Sequence, residues 1–214
     1  MLLEKERQQI VETCLTMQRL NLVVGTAGNV SVRVGDHVAI SPSGVEYDVM
    51  RAEDVVVTDL SGNLVEGALK PSSELPLHLS VYAATDAGAI THNHAPASTA
   101  LGLIVDEIPT SHYYSSMFGG AIRVAPYATF GTDQLAINVS EALKDRQGAL
   151  MSNHGAITIG PNLPKALSLL PYLEYICEIQ LRVMATGLPV KILSDELMAE
   201  AGSLIKGYGQ QPTK

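Results

Sequence analysis

Short apolar or alternating runs, each bounded by turn residues, constrain this chain most. Val30-Ser-Val-Arg-Val34 alternates, Gly35-Asp36 can turn, and His37-Val-Ala-Ile40 returns, which is a hairpin signature. Val55-Val-Val-Thr58, the turn Ser61-Gly-Asn63 and Leu64-Val65 repeat the device. Residues 88 to 93, Ala121-Ile-Arg-Val124, Gly148-Ala-Leu-Met-Ser152 and Ala156-Ile-Thr-Ile159 read as further strands. Helical patterns separate them. They cover residues 3 to 20, a segment opened by Pro71-Ser-Ser-Glu74, residues 96 to 105, Gly131-Thr-Asp133 to about Asp145, and residues 163 to 186. A last helix starts at Ser194-Asp195-Glu196. Ser72 or Ser73 is expected to cap the second helix, and Pro171 to kink the long one. Hairpins interleaved with helices predict an α/β fold with a central, mainly antiparallel sheet flanked by helices.

The 214 residues suit one domain, 1–214, large enough to bury a core without covalent staples. Cys14 and Cys177 both lie in apolar helical stretches and read as buried reduced thiols, which fits a reducing cytoplasm. Met1-Leu-Leu-Glu-Lys-Glu-Arg7 carries acids early and is not read as a secretory signal. No apolar run approaches the length of a bilayer span, so no membrane association is expected. With 14 basic and 22 acidic residues the net charge is −8, which argues against a nucleic-acid partner. A small phosphate ester can still be held locally, by backbone amides and hydroxyls. The tail Gly207-Tyr-Gly-Gln-Gln-Pro-Thr-Lys214 is expected to be mobile.

The strand at 88–93 runs into His92-Asn-His94. Positions i and i+2 of a strand share a face, so both imidazoles can aim at one point while Asn93 faces away. That is half of a metal site, although such a pair also occurs structurally. His154 ends another buried strand, where a lone histidine is commonly just a satisfied polar residue. The three together could supply the His₃ set of a catalytic zinc site, with positions left for substrate. Glu74 at a helix start is either a favourable charge there or a carboxylate serving the metal as ligand or base. His78, one turn on, reads as core or as a support behind the ligands. His37 reads as surface, and His112 is left open.

Gly25-Thr-Ala-Gly-Asn29, Ser41-Pro-Ser-Gly44 and Lys70-Pro-Ser-Ser73 share one chemistry: small residues, free amides and hydroxyl or amide donors. Each alone is a turn or a cap. Together with the histidines they suggest a phosphorylated small substrate.

Five ordered motifs carry a resemblance: Gly25-Thr-Ala-Gly-Asn-Val-Ser31, Pro71-Ser-Ser-Glu74, His92-Asn-His94, Ala125-Pro-Tyr-Ala-Thr-Phe-Gly-Thr132 and Asn153-His-Gly155. With these the chain resembles the class II aldolase/adducin family over nearly its whole length. The resemblance implies a three-layer fold with helices on both sides of the sheet, assembled as a homotetramer with sites at subunit interfaces. It implies one Zn²⁺ per subunit, held by His92, His94 and His154 with Glu74 as fourth ligand. It implies phosphate binding by Thr26, Asn29, Ser43, Gly44, Ser72 and Ser73, where Ser43 replaces a threonine of the family pattern and keeps the hydroxyl. Tyr113 would be an acid reaching a neighbouring subunit's site, Tyr208 a tail tyrosine closing over it, and Phe130 an aromatic of the same region.

The implied activity is cleavage of a ketose 1-phosphate, such as L-fuculose 1-phosphate, into dihydroxyacetone phosphate and an aldehyde such as L-lactaldehyde. Glu74 would be the base, and the metal would stabilise an enediolate. Two rivals are weighed. Relatives on the same scaffold include deoxy- or methylthio-pentulose-phosphate aldolases, 4-epimerases and a dehydratase. Epimerases carry Asp at the place of Glu74, whereas Tyr113-Tyr-Ser-Ser-Met-Phe118 departs from the aldolase pattern and bears on the aldehyde. Adducin-type scaffold proteins form the second rival, and those are expected to lack the metal histidines.

Overall fold

Gly35 and Asp36 turn the first hairpin as the alternation implies. In the computed structural model, which describes residues 1–209, β1 (Asn29–Val34) and β2 (His37–Ile40) pair antiparallel with Val34 opposite His37. β3 (Val56–Asp59) and β4 (Leu64–Glu66) follow. Asp59 closes the turn between them, its carboxylate accepting from the amides of Ser61 at 2.8 Å and Asn63 at 2.9 Å. The remaining strands are β5 (Ala89–Asn93), β6 (Glu107–Ile108), β7 (Ile122–Ala125), β8 (Gly148–Met151) and β9 (Gly155–Gly160). The helices are α1 (Glu4–Arg19), α2 (Leu75–Ala84), α3 (Pro96–Leu101), α4 (Asp133–Ala142), α5 (Leu163–Met184) and α6 (Asp195–Lys206).

Among the described residues the strands form one sheet of nine, in the order β4-β3-β2-β1-β5-β9-β8-β7-β6. It is mainly antiparallel, as expected. The exception is β7 with β8, which run parallel because α4 is the crossover that returns the chain in the same direction. Helices cover both faces. Ile10, Cys14 and Met17 of α1 and Ala166 and Leu170 of α5 pack with Val30, Val32 and Ala89 on one side. Leu77 and Val81 of α2 and Leu135 and Val139 of α4 pack with Ile90, Ala149 and Ile157 on the other. Neighbouring strand residues feed opposite cores, as period-2 alternation requires. No helix among the described residues is long and apolar enough to cross a membrane.

Some local expectations are corrected. The second helix is not capped by a serine hydroxyl. It starts at Leu75, and Ser72 Oγ instead accepts from the Glu74 amide at 3.2 Å, ahead of the helix, while Leu75 N–H bonds to the Ser72 carbonyl at 3.0 Å. α3 stops at Leu101 rather than 105, and α4 at Ala142 rather than Asp145, where the backbone turns left-handed at φ +56°. The short strand β6 and a 3-10 segment at Tyr113–Phe118 carry no periodic signal and were not expected. The expected mobility of the tail falls partly on residues 210–214, which lie outside the described residues.

α3 follows directly from His94, so its anchoring matters. The Glu174 carboxylate of α5 accepts from the Ala97 amide at 2.6 Å and the Ser98 amide at 2.8 Å, filling two otherwise unpaired donors at that helix start. Hydrogen bonds to a charged group contribute about 1.5–3 kcal/mol each, so Glu174→Ala is expected to lower the unfolding free energy by about 2 kcal/mol. Urea denaturation checks this, and a change below about 0.5 kcal/mol would refute the anchoring role.

Candidate active site

β5 and the β8–β9 turn bring the histidines together. His92 lies in β5 and is fully buried, while His94 stands one residue beyond the strand's end, tied by its amide to the Leu22 carbonyl at 3.1 Å. The i, i+2 geometry therefore holds although the strand itself stops at Asn93. His154 enters from the turn after β8, where Asn153 takes a left-handed conformation at φ +56° and the His154 amide bonds to the Met151 carbonyl at 3.1 Å. Gly155 makes this approach feasible. A Cβ there would lie 2.1 Å from the Asn93 carbonyl oxygen and 3.1 Å from the His94 ring.

The candidate ligand atoms of His92, His94 and His154 lie within 4.8 Å of one another. The Nε2 atoms of His92 and His94 are 2.9 Å apart. Glu74 closes the group, with Oε2 3.1 Å from His92 Nε2 and Oε1 3.4 Å from His154 Nε2. His92 Nδ1 donates to the Ala156 carbonyl at 2.9 Å, which leaves Nε2 as the nitrogen facing the cluster. Glu74 Oε1 is buried and has no hydrogen-bond partner among the described residues. Three convergent imidazole nitrogens and an orphaned carboxylate oxygen fit a divalent metal ion, and suit zinc chemically.

Charge divides unevenly across the cluster. Burial works to raise the Glu74 pKa, but the His92 charge, with the His92 hydrogen bond, His154 and Asn29, outweighs it and holds the carboxyl well below its usual range. Burial works to lower His92, and Glu74 overrides it, so His92 is raised. Burial and the neighbouring His92 charge push His94 and His154 down to about 4. His78 is pushed down to about 3, first by burial.

The turn loops meet at the same place. A cavity of about 390 Å³ is lined by Thr26, Asn29, Ser43, Gly44, Ser72, Ser73, Glu74, His94 and His154, with Tyr127, Phe130 and Asn153 at its other walls. Thr26, Ser43 and Ser73 are exposed toward it, whereas Ser72 and Asn29 are buried. Gly28 passes so close to β5 that a Cβ would lie 2.7 Å from the His92 carbonyl oxygen. The Tyr47 hydroxyl steadies this loop by donating to the carbonyls of Gly28 at 2.8 Å and Ala27 at 3.1 Å. Tyr47 was not singled out from sequence, since a lone tyrosine in a loop gives no signal of its target.

Asn29 is placed differently from a simple phosphate donor. Its amide nitrogen donates to Glu74 Oε2 at 2.8 Å, and its amide oxygen faces His78 Nε2 at 2.5 Å. Tyr113 and Tyr208 do not line the cavity of their own chain. Tyr113 is half-exposed in an aromatic group, stacked on His112 with ring centroids 4.8 Å apart, and Tyr208 follows α6 and is 88% exposed. His112, left open from sequence, opens the 3-10 segment and accepts from the Tyr114 amide at 3.2 Å.

Three clustered imidazoles beside a buried carboxylate could hold a metal ion, and comparison with known proteins makes the assignment. Residues 8–181 match the family model of the Class II Aldolase and Adducin N-terminal domain. L-Fuculose phosphate aldolase of Escherichia coli (strain K12) is 43% identical over 207 residues, covering 96% of each chain. The 5-deoxy-D-ribulose 1-phosphate aldolase of Bacillus thuringiensis serovar kurstaki is 39% identical over 214 residues, 99% of this chain and 100% of that one. A solved L-fuculose 1-phosphate aldolase superposes with a TM-score of 0.90 at 35% identity, covering 94% of this chain and 96% of the other. The chain belongs to the class II aldolase/adducin family, and within it to the aldolases, which are lyases.

Metal ligands must be deprotonated, so protons compete for the site. Of the three candidate ligands, His92 is the one with a raised pKa and would have to lose its proton to bind an ion, while His94 and His154 at about 4 would compete only in acid. Zinc affinity is therefore expected to weaken about tenfold per pH unit as pH falls below the His92 pKa, with about one proton released per ion. Calorimetry in buffers of different ionisation heat measures this. An affinity that stays flat from about pH 8 to about pH 6 would contradict it.

Proposed function

We propose that the chain is a zinc-dependent aldolase that reversibly cleaves a ketose 1-phosphate into dihydroxyacetone phosphate and an aldehyde. The observation that carries this reading is the single cavity in which Glu74, His94 and His154 share walls with Thr26, Ser43, Gly44, Ser72 and Ser73. One end of the cavity suits a metal and the other a phosphate.

A divalent ion held by His92, His94 and His154, with Glu74 as fourth ligand, would supply Lewis-acid stabilisation of negative charge developing on substrate oxygen. The loops do the positioning. Thr26, Ser43 and Ser73 offer hydroxyls, Gly44 an amide, and buried Ser72 helps shape the turn before α2. Phosphate held at this remote end orients the reacting carbons, so binding energy far from the chemistry lowers the barrier. Glu74 handles the proton. Asn29 holds Oε2, and once substrate had displaced Glu74 from the metal, Oε1 would be free to take a proton from the carbon beside the dihydroxyacetone phosphate carbonyl during synthesis and to return it after cleavage.

Tyr113 lies outside the cavity of its own chain, which supports a role as the acid at a neighbouring subunit's site in a homotetramer. Exposed Tyr208, near the end of the described chain, is proposed to close over the substrate. The whole chain 1–214 is taken as one functional domain. Two buried free thiols fit a cytoplasmic enzyme. The favoured substrate is L-fuculose 1-phosphate, releasing L-lactaldehyde, in line with the 43% identical relative. The 39% identical relative, named for 5-deoxy-D-ribulose 1-phosphate, supports a deoxypentulose phosphate as the second reading.

Purified zinc-loaded protein assayed on a panel of ketose 1-phosphates is expected to release dihydroxyacetone phosphate from at least one of these two. Release from no member would overturn the aldolase proposal. Replacing Glu74 by Gln keeps the side chain's size and removes the proton acceptor. Turnover is expected to fall about 100-fold or more with zinc still bound, and near-normal turnover would remove Glu74 from the base role.

A further inference from the structure

His78 is fully buried, and the chemistry above does not use it. It belongs to an unbroken line of hydrogen bonds that ends on Glu74. Tyr82 Oη is 2.7 Å from Ser31 Oγ, Ser31 Oγ is 2.6 Å from His78 Nδ1, and His78 Nε2 is 2.5 Å from Asn29 Oδ1. Asn29 Nδ2 then lies 2.8 Å from Glu74 Oε2. Asn29 and Ser31 are i and i+2 on β1, so they share the face turned to α2, which carries His78 and Tyr82.

The protons along this line can be ordered from its end. An ionised carboxylate only accepts, so the amide NH₂ of Asn29 must face Glu74 and its carbonyl oxygen must face His78. His78 Nε2 must then carry the proton. A neutral imidazole leaves Nδ1 as an acceptor, so Ser31 gives it the hydroxyl proton and accepts in turn from Tyr82. Every donor points toward Glu74. The Arg33 guanidinium stands 5.2 Å from the Tyr82 ring centroid and donates to the Tyr82 carbonyl at 2.8 Å, fixing the far end. A flipped Asn29 would set two acceptor oxygens 2.8 Å apart at Glu74 and two N–H groups face to face at His78.

We infer that His78 is a positioning residue for Glu74: its Nε2–H locks the Asn29 amide so that Asn29 Nδ2 holds Glu74 Oε2 and leaves Oε1 free. This deepens the aldolase reading and rests on it for the role of Glu74. It also makes Asn29 a carboxylate holder first, with its second amide hydrogen left for the cavity.

Replacement by Leu removes the donor at similar bulk. Replacement by Gln places an amide N–H near the position of Nε2, whereas Asn reaches only as far as Nδ1. At saturating zinc, His78→Leu is expected to lower kcat about 10- to 100-fold with KM changed by less than about threefold, and His78→Gln to recover most of that loss. Should the Leu variant fail to fold, the same split between His78→Gln, active, and His78→Asn, impaired, is the expected result. Nitrogen NMR of labelled histidine in the metal-free protein should show His78 as the neutral Nε2–H tautomer. A His78→Leu enzyme that loses stability yet turns over normally when folded would overturn the inference, as would equal kcat in the Gln and Asn variants or a proton on Nδ1. Wild-type protein that cleaves no ketose phosphate would sink the aldolase reading instead, and the imidazole nitrogens would still decide whether His78 locks Asn29.

Discussion

Asn29 stands opposite His92 because β1 and β5 pair in one register, and His92 stands opposite Ile157 because β5 and β9 do. The rest of the site depends on that alignment. A slip of one residue would turn His92 toward α1 and α5, and would take Asn29 and Ser31 away from α2. Apolar burial holds the register from both sides. Val30, Val32 and Ala89 are committed to one core and Ile90 and Ile157 to the other, so a slip would expose or misplace all of them at once. Thr91 and Thr158 add a buried hydroxyl pair at 2.7 Å across the same strands.

That placement carries an electrostatic cost. Glu74, His92, His78 and Asn29 are all buried, and buried polar groups are costly unless each finds a partner. Most do. The exception lies at the centre, where Glu74 Oε1 has none among the described residues and three imidazole nitrogens converge. When protonated, His92 forms an ion pair with Glu74 at 3.1 Å, and each charge offsets the burial of the other. A divalent cation supplies the same compensation without a proton and reaches Oε1 as well. Metal binding at Glu74, His92, His94 and His154 would therefore be coupled to folding stability.

The sequence made the architecture legible because hairpin turns and apolar periodicity are local signals. It lost the parts that depend on distant pairing. β6 is too short to show a period, and the 3-10 segment at Tyr113–Phe118 is set by its contacts with the rest of the fold. In the site, the alternation of His92 and His94 pointed to a shared face, and the structure delivers it even though His94 lies past the strand's end. His154 could be read only as a strand-end residue, since its approach depends on the turn at Asn153 and on the missing side chain of Gly155. Asn29 and Glu74 are 45 positions apart, and nothing local says that an asparagine in a glycine-rich turn will hold a carboxylate. The resemblance to a family supplied the candidate phosphate residues by position, and they line one cavity. It did not supply the line from Tyr82 through His78, which only the packing of α2 on β1 creates.

The division of labour between sheet and loops bears on substrate choice. The buried residues Glu74 and His92 are fixed by strand register and helix packing, while Thr26, Ser43 and Ser73 sit on exposed turns beside them. Under the proposed reaction neither group would face the variable end of the substrate, because one would serve the reacting carbons and the other the phosphate. What is left for the aldehyde is the rim, where Tyr127 and Phe130 are more than half exposed. In the tetramer proposed above, a neighbour's Tyr113 segment would join that rim. That segment is also where the sequence departs from the aldolase pattern. Changes there would leave the cavity floor of their own chain untouched, so in the proposed tetramer one scaffold could serve different sugars, with the aldehyde selected by the rim rather than by the metal site.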